Sequence, residues 1–279
     1  MPDTRTLLLT ATAMIAFAAN SVLCRLGLGA GLIDAASYSS IRLLSGAVVL
    51  ALLVLVRGGT LRRRPDARMV AGLLAYVLFF SWAYLTLDTA TGALVLFGSV
   101  QLTMFAVSFA RGERFSLLSW FGLSLALGGL VYLLLPGASA PDPAGAALMA
   151  IAGIAWGAYS LLGRGASDAT RSTALNFLYA TPFALLAGVL LPGQTVVTVE
   201  GAAYAIASGA LASGLGYAVW YRALPGLAGT EAATVQLSVP IIAAVGGLMF
   251  LAEPLTARLL IASVATLGGV AIVLRVRTA

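Results

Sequence analysis

The sequence contains no histidine and no lysine, a single cysteine (Cys24), and little charge of either sign. Without histidine, the commonest general base and the commonest metal ligand are both missing. One cysteine cannot close an internal disulfide, and with no imidazole it forms no Cys/His nucleophile pair. No metal and no cofactor are expected. Only 9% of the 279 residues are charged, against roughly 25% in a soluble domain, which must face water with groups that water solvates. Hydrophobic residues make up 61% instead. Water cannot be the main solvent. All 16 basic residues are arginine and the net charge is +6. In a soluble chain such a balance would suggest nucleic acid. In this one it reads as membrane orientation, and no nucleic-acid partner is expected.

Charged residues divide the rest into apolar stretches. The spans expected run from Thr6 to Cys24, roughly 35–56, Met69–Leu87, Thr89–Ala110 and Phe115–Pro141. They continue as Pro143–Gly163, Ser172–Val199, Gly201–Tyr221, Ala232–Ala252 and roughly 255–274. Each approaches or exceeds the ~20 residues that cross a ~30 Å hydrocarbon layer. Lipid offers no partner to a free backbone amide, so these runs must be helices. Barrel strands would alternate polar and apolar positions, which they do not. The first run is too long for a signal-peptide core and is read as a retained span.

Arginine placement gives the orientation. With ten spans both termini share one face, and Arg5, the Arg57–Arg68 segment, Arg111, Arg114, Arg164, Arg171, Arg222, Arg275 and Arg277 fall there. Only Arg25, Arg42 and Arg258 fall towards the other. This bias predicts a multi-pass protein of a bacterial-type inner membrane, with both termini cytoplasmic.

The halves echo one another. Ala19–Arg25 parallels Ala158–Arg164, Val100-Gln101-Leu102 parallels Val235-Gln236-Leu237, Gly112-Glu113-Arg114 parallels Ala252-Glu253-Pro254, and Leu127-Gly128-Gly129 parallels Leu267-Gly268-Gly269. The four matches keep their order at an offset of about 140 residues. Five spans per repeat is an odd number, so the second half, 138–279, must enter the membrane inverted relative to the first, 1–137. Inverted repeats are a mark of secondary transporters. In the Asn20–Arg25 segment, Arg42, the Gly-Glu-Arg and Ala-Glu-Pro-Leu-Thr turns and the Leu-Gly-Gly pairs, the chain resembles the drug/metabolite transporter superfamily. It is similar to the ten-span type built from EamA repeats, and within that to YddG-type amino-acid exporters. The resemblance implies an all-α membrane protein, ten transmembrane helices as two inverted five-helix repeats around a central cavity. It also implies export of amino acids or similar small metabolites.

Polar groups at membrane depth are costly and therefore suspect. Gln101 and Gln236 sit at equivalent mid-helix places, and Asn20 lies within the first span. Each is a candidate for substrate binding, with an interhelical hydrogen bond as the plainer reading. Tyr76, Phe80 and Tyr84 recur every four residues on one helix face. Trp156 shares a face with Tyr159, as Tyr217, Trp220 and Tyr221 share another. Tyr84, Trp220 and Tyr221 are expected in interfacial aromatic belts, and Tyr76, Phe80, Trp156 and Tyr159 in the cavity wall. Arg42 is expected in an outer salt-bridge cluster with Arg25 and Asp34, with substrate-carboxylate binding as the other reading. Pro240, and to a lesser degree Pro182, are hinge candidates. Gly128-Gly129, Gly246-Gly247 and Gly268-Gly269 read as close helix contacts.

The expected function is a secondary transporter exporting neutral, larger apolar or aromatic amino acids or related metabolites by alternating access. Export of other metabolites or drugs is the alternative, and a small-solute channel a weaker one. The expected working form is a monomer or weak oligomer in membrane lipid. A membrane enzyme would need a base, nucleophile or metal at depth, and no Asp or Glu lies mid-span.

Overall fold

The computed structural model describes residues 3–164, 166–190 and 195–276; Arg277 lies outside them. The described elements are α1 (Thr4–Gly29), α2 (Ala35–Val56), α3 (Ala67–Ala83), α4 (Thr89–Ala110), α5 (Leu117–Leu134), α6 (Pro143–Leu162) and α7 (Ala169–Leu190). They continue as α8 (Val199–Gly226), α9 (Gly229–Val235), α10 (Ser238–Leu251) and α11 (Ala257–Val276). Among the described residues, nine helical segments are long and apolar enough to cross a membrane, with α9 and α10 counting as one. The 17-residue α3 is a shorter apolar helix beside them.

Aspartates set most of the helix starts. Asp3, Asp34, Asp66 and Asp142 each accept a hydrogen bond from a backbone N–H in the first turn of the helix that follows. Asp168 does the same for Arg171 at 2.9 Å. Each satisfies an orphan donor that the helix would otherwise leave bare. The first helix runs past Cys24 to Gly29. Arg25 does not end it, because its guanidinium reaches Glu253 at 3.3 Å and the carbonyls of Tyr84 and Leu85 at 3.1 and 3.2 Å. A charge with that many partners can stay in the helical register.

Helix neighbours follow a regular scheme. α2 packs on α7, and α5 on α11; α3 packs on α6 and α1 on α8; α4 lies against α6 and α10 against α1; α2 touches α8 and α3 touches α7. At one end of the bundle, loops from the two halves are tied together. Asp34 donates its N–H to the Val196 carbonyl (2.9 Å), and Thr198 donates to Leu32 (2.9 Å), around a single bridge between Ile33 and Val197. Thr86 donates to Asp142 (3.0 Å), and Arg258 donates to the Leu135 carbonyl.

Two interruptions sit inside this frame. The middle of α8, Ala207–Leu215, is π-helical, and such wide turns collect at functional sites. There α8 comes so close to α2 that a Cβ on Gly209 would collide with the Arg42 carbonyl. The second break separates α9 from α10 at Gln236–Leu237. Pro240, which is buried, occupies the first turn of α10, where its missing N–H costs least. The Gln236 carbonyl that a continuous helix would leave facing the proline accepts instead from Val239 N–H at 3.1 Å. Pro182 lies inside the unbroken α7 on an exposed face.

Candidate substrate site

The site is built around one cation. Asp34 starts α2, and two turns later Arg42 is buried at 1% exposure. Its Nη2 donates to the Tyr76 hydroxyl at 3.0 Å, and its Nε makes a long contact with Ser213 Oγ at 3.4 Å. Its guanidinium lies 4.9 Å from the Phe80 ring centre and 5.3 Å from that of Tyr76. Nη1 is buried with no partner. Among the described residues no carboxylate is within ion-pair distance of it.

The outer cluster expected for Arg42 therefore forms without it. Arg25 pairs with Glu253 (3.3 Å) and Asp88 (3.6 Å), and Asp34 is committed to capping α2 and to Val196 N–H at 3.1 Å. Arg42 stays at depth because hydroxyls and ring faces are close enough to hold it. They hold it incompletely. Taking an ion from water costs several kcal/mol even after relaxation, whereas a desolvated cation–π contact returns about 2.

Rings extend outward from this point across four helices. Tyr76 and Phe80 are 5.4 Å apart on α3, and Tyr76 lies 4.7 Å from Trp156 on α6. Trp156 stacks on Tyr159 (5.3 Å) and on Tyr217 of α8 (5.5 Å), and Tyr217 in turn stacks on Tyr221 (6.1 Å). Phe17 of α1 closes on Tyr217 and Trp220 at 5.6 and 6.1 Å. Hydroxyl ends find partners: Asn176 Nδ2 donates to the Tyr159 oxygen (3.2 Å), and Thr173 and Tyr221 share a hydrogen bond of 2.7 Å. The Asn20 amide oxygen accepts from Ser208 (2.8 Å) and Ser213 (3.2 Å), both in the π-helical turn. Ser213 thus links Asn20 to Arg42.

Five of the seven binding candidates, Asn20, Tyr76, Phe80, Trp156 and Tyr159, lie in this one network. The two glutamines lie elsewhere. Gln101 lines a small crevice between α4, α5 and α11, with Leu102, Phe105, Ala126 and Val270. Gln236 Nε2 donates to the Ala232 carbonyl of its own helix at 3.2 Å, beside the α9–α10 break. The belt expected for Tyr84, Trp220 and Tyr221 is not what they form. Tyr84 is fully buried, edge-on to Phe80 at 4.8 Å, Trp220 is buried against Phe17, and Tyr221 joins the stack.

A cavity of about 260 Å³ lies at the end where the loops are tied, lined by Asp88, Ser139, Asp142, Glu253 and Thr256 among others. Glu253, in the turn between α10 and α11, accepts from Thr89 N–H (2.8 Å) and Arg25 Nε. Burial pushes its carboxyl above the ordinary value of 4.5 and Asp88 adds to this, while the Thr89 and Arg25 contacts oppose it.

Comparison with known proteins bears on what such a bundle is. Residues 143–275 match the EamA-like transporter family. An uncharacterized protein of Pseudomonas aeruginosa is 53% identical over 99% of this chain and 97% of its own length. The chain belongs to the EamA-like transporter family. It is accordingly a multi-pass helical membrane protein, and its family moves small solutes rather than catalysing reactions. A crystal structure with 20% identity covers 94% of this chain and 98% of that one at a TM-score of 0.63, a likeness of fold. Within the EamA-matched segment lie Trp156, Tyr159, Ser213 and Tyr217; Arg42, Tyr76 and Phe80 come from the part before it.

Proposed function

We propose that the chain is a secondary transporter that exports neutral amino acids, larger apolar or aromatic ones first, or related small metabolites, by alternating access. One observation carries this reading: helix packing maps onto itself when each span is exchanged with the one five places along. α2–α7 and α5–α11 are pairs of equivalents, α3–α6 answers to α8–α1, α4–α6 to α10–α1, and α2–α8 to α7–α3. Such a scheme supports two inverted halves, 1–137 and 138–279. Halves of that kind can trade conformations, which keeps inward- and outward-open states near in energy. The Arg42–Trp156–Tyr217 network lies between them and supplies amphipathic rings and polar atoms in the proportions of a small-molecule site.

The substrate residues proposed are Asn20, Tyr76, Phe80, Trp156 and Tyr159; Gln101 and Gln236 lie away from this network and are left out of the proposed site. Pro240, at the α9–α10 break, is the proposed hinge, with Pro182 as a lesser one. Every described carboxylate lies at a bundle end, which favours exchange or facilitated transport over obligatory proton antiport. Arginine bias supports a bacterial-type inner membrane with both termini inside. In a Cys24→Ser background, Gly58→Cys should react with an impermeant thiol reagent only in inverted vesicles, and Ser139→Cys only in intact cells. The opposite pattern would reverse the orientation. Cells expressing the chain and loaded with an aromatic dipeptide should release the free amino acid faster than controls. Equal release would remove the amino-acid assignment.

A further inference from the structure

We propose that Arg42 holds the carboxylate of the substrate, and that a substrate amine is tolerated without being read by charge. The transported class would then be organic carboxylates on a flat or apolar body, with or without an amine. This rests on the transport reading above and narrows it.

Arg42 presents a buried guanidinium with one unpartnered nitrogen, Nη1, and only neutral neighbours, Tyr76, Phe80 and Ser213. A carboxylate is acceptor-only and matches the planar N–H fork of arginine with two parallel bonds. It would supply both the missing acceptor and the missing negative charge. Most polar groups elsewhere in the network are engaged, Asn20 with Ser208 and Ser213, and Tyr221 with Thr173; Asn176 donates to Tyr159 and keeps its Oδ1 buried and unpartnered, a neutral acceptor. Beside the cation stand Tyr76 and Trp156, with Tyr217 beyond, giving the ring faces on which a flat body packs.

Among the described residues no carboxylate stands in the network to match an ammonium, and the free acceptor there, Asn176 Oδ1, carries no charge. Aspartates 3, 34, 66, 142 and 168 cap helices, and Asp88 and Glu253 face Arg25. Glu200 accepts from Tyr204 and Glu231 from Ala228 N–H, and Glu113 lies in the turn between α4 and α5. All of these sit at bundle ends. An amine in the site would meet ring faces, which attract it weakly. A compound carrying only an amine would meet the Arg42 charge with nothing to offset it.

The test uses the purified full-length chain in liposomes preloaded with phenylalanine. Exchange of labelled external phenylalanine is challenged at neutral pH with phenylalanine, phenylpyruvate or phenethylamine. Phenylpyruvate should compete within about tenfold of phenylalanine, and phenethylamine should need at least about 100-fold more. Arg42→Gln should weaken the two carboxylates by about 10- to 100-fold and strengthen phenethylamine as the repelling charge is removed, with Arg42→Lys in between. The inhibitor series on the unaltered protein decides the matter even if a variant fails to fold. Phenethylamine competing as well as phenylpyruvate, or phenylpyruvate failing where phenylalanine succeeds, overturns the inference and leaves transport standing. If phenylalanine itself does not exchange, labelled phenylpyruvate is tried. Its exchange supports the inference, and exchange of neither compound overturns the inference and the transport reading together.

Discussion

Trp156 is the residue through which the ring network passes, since it touches Tyr76, Tyr159 and Tyr217 at once. Trp156→Ala removes that bridge while the packed helices around it remain, so transport should fall at least about tenfold with folded yield largely kept. Gln101→Ala, in the separate crevice beside α5 and α11, should change transport less than about twofold. Equal losses in both would show that the ring network is not the site. Glu253 makes a pH prediction. Its carboxyl is raised in the folded protein, so it favours the fold most below 4.5, and that advantage is lost as pH rises through the raised value. Glu253→Gln removes the ionisation. The melting temperature of the wild type relative to that variant should therefore decline from about pH 4.5 upward and then level off. A difference that does not vary with pH would contradict the burial argument. At this scale the sequence was legible where spacing alone decides, as for Tyr76 and Phe80 one turn apart. It was illegible where partners come from distant helices. Nothing near Arg42 in sequence announces Ser213, and distance from the nearest charge placed Tyr84 and Trp220 at an interface when packing had buried them.

Elements were more legible than side chains, because lipid leaves the backbone one answer. The expected spans and the helices coincide to within a few residues at most ends; α7 is helical to Leu190 where the span was expected to reach Val199, and α5 stops at Leu134, short of Pro141, because Leu135 precedes Pro136 and is extended. α1 outlasts Arg25 because Arg25 finds Glu253. The ninth span is broken because Pro240 takes a first-turn position and Val239 captures the Gln236 carbonyl. The π-helical turn of α8 left no mark that period or composition reveals. Paired glycines were half legible. A Cβ on Gly269 would strike the Gly122 carbonyl and Ala126 N–H, whereas one on Gly268 would meet open space. Gly269→Ala should thus destabilise the α5–α11 contact by about 1–3 kcal/mol in detergent unfolding, and Gly268→Ala should be neutral or slightly stabilising. A reversed order would mean that α5 and α11 are not packed by that face. Pro240→Ala permits α9 and α10 to join into one helix. Turnover should slow several-fold with substrate affinity within about twofold if the break is the hinge, and an unchanged rate would remove that role.

At the scale of the whole chain, the halves are joined at one end by bonds that cross between them: Arg25 to Glu253, Asp34 to Val196, Thr86 to Asp142 and Arg258 to Leu135. In a carrier that alternates, such a latch would open once per cycle. Composition was enough to read the helical bundle, because that follows from counting apolar spans. The solute was not legible, since any small amphipathic molecule suits rings and hydroxyls; Arg42 was a carboxylate candidate from sequence, but its burial away from every described carboxylate is visible only in three dimensions. The central claim is that one solute occupies one site that opens to each side in turn. Counterflow tests it most directly: liposomes holding the purified chain and unlabelled phenylalanine are diluted into labelled phenylalanine, with no ion gradient imposed. Saturable uptake that transiently overshoots equilibrium, and that vanishes when the internal amino acid is omitted, is the result predicted. Uptake that rises in proportion to external concentration and ignores the internal pool would contradict a carrier.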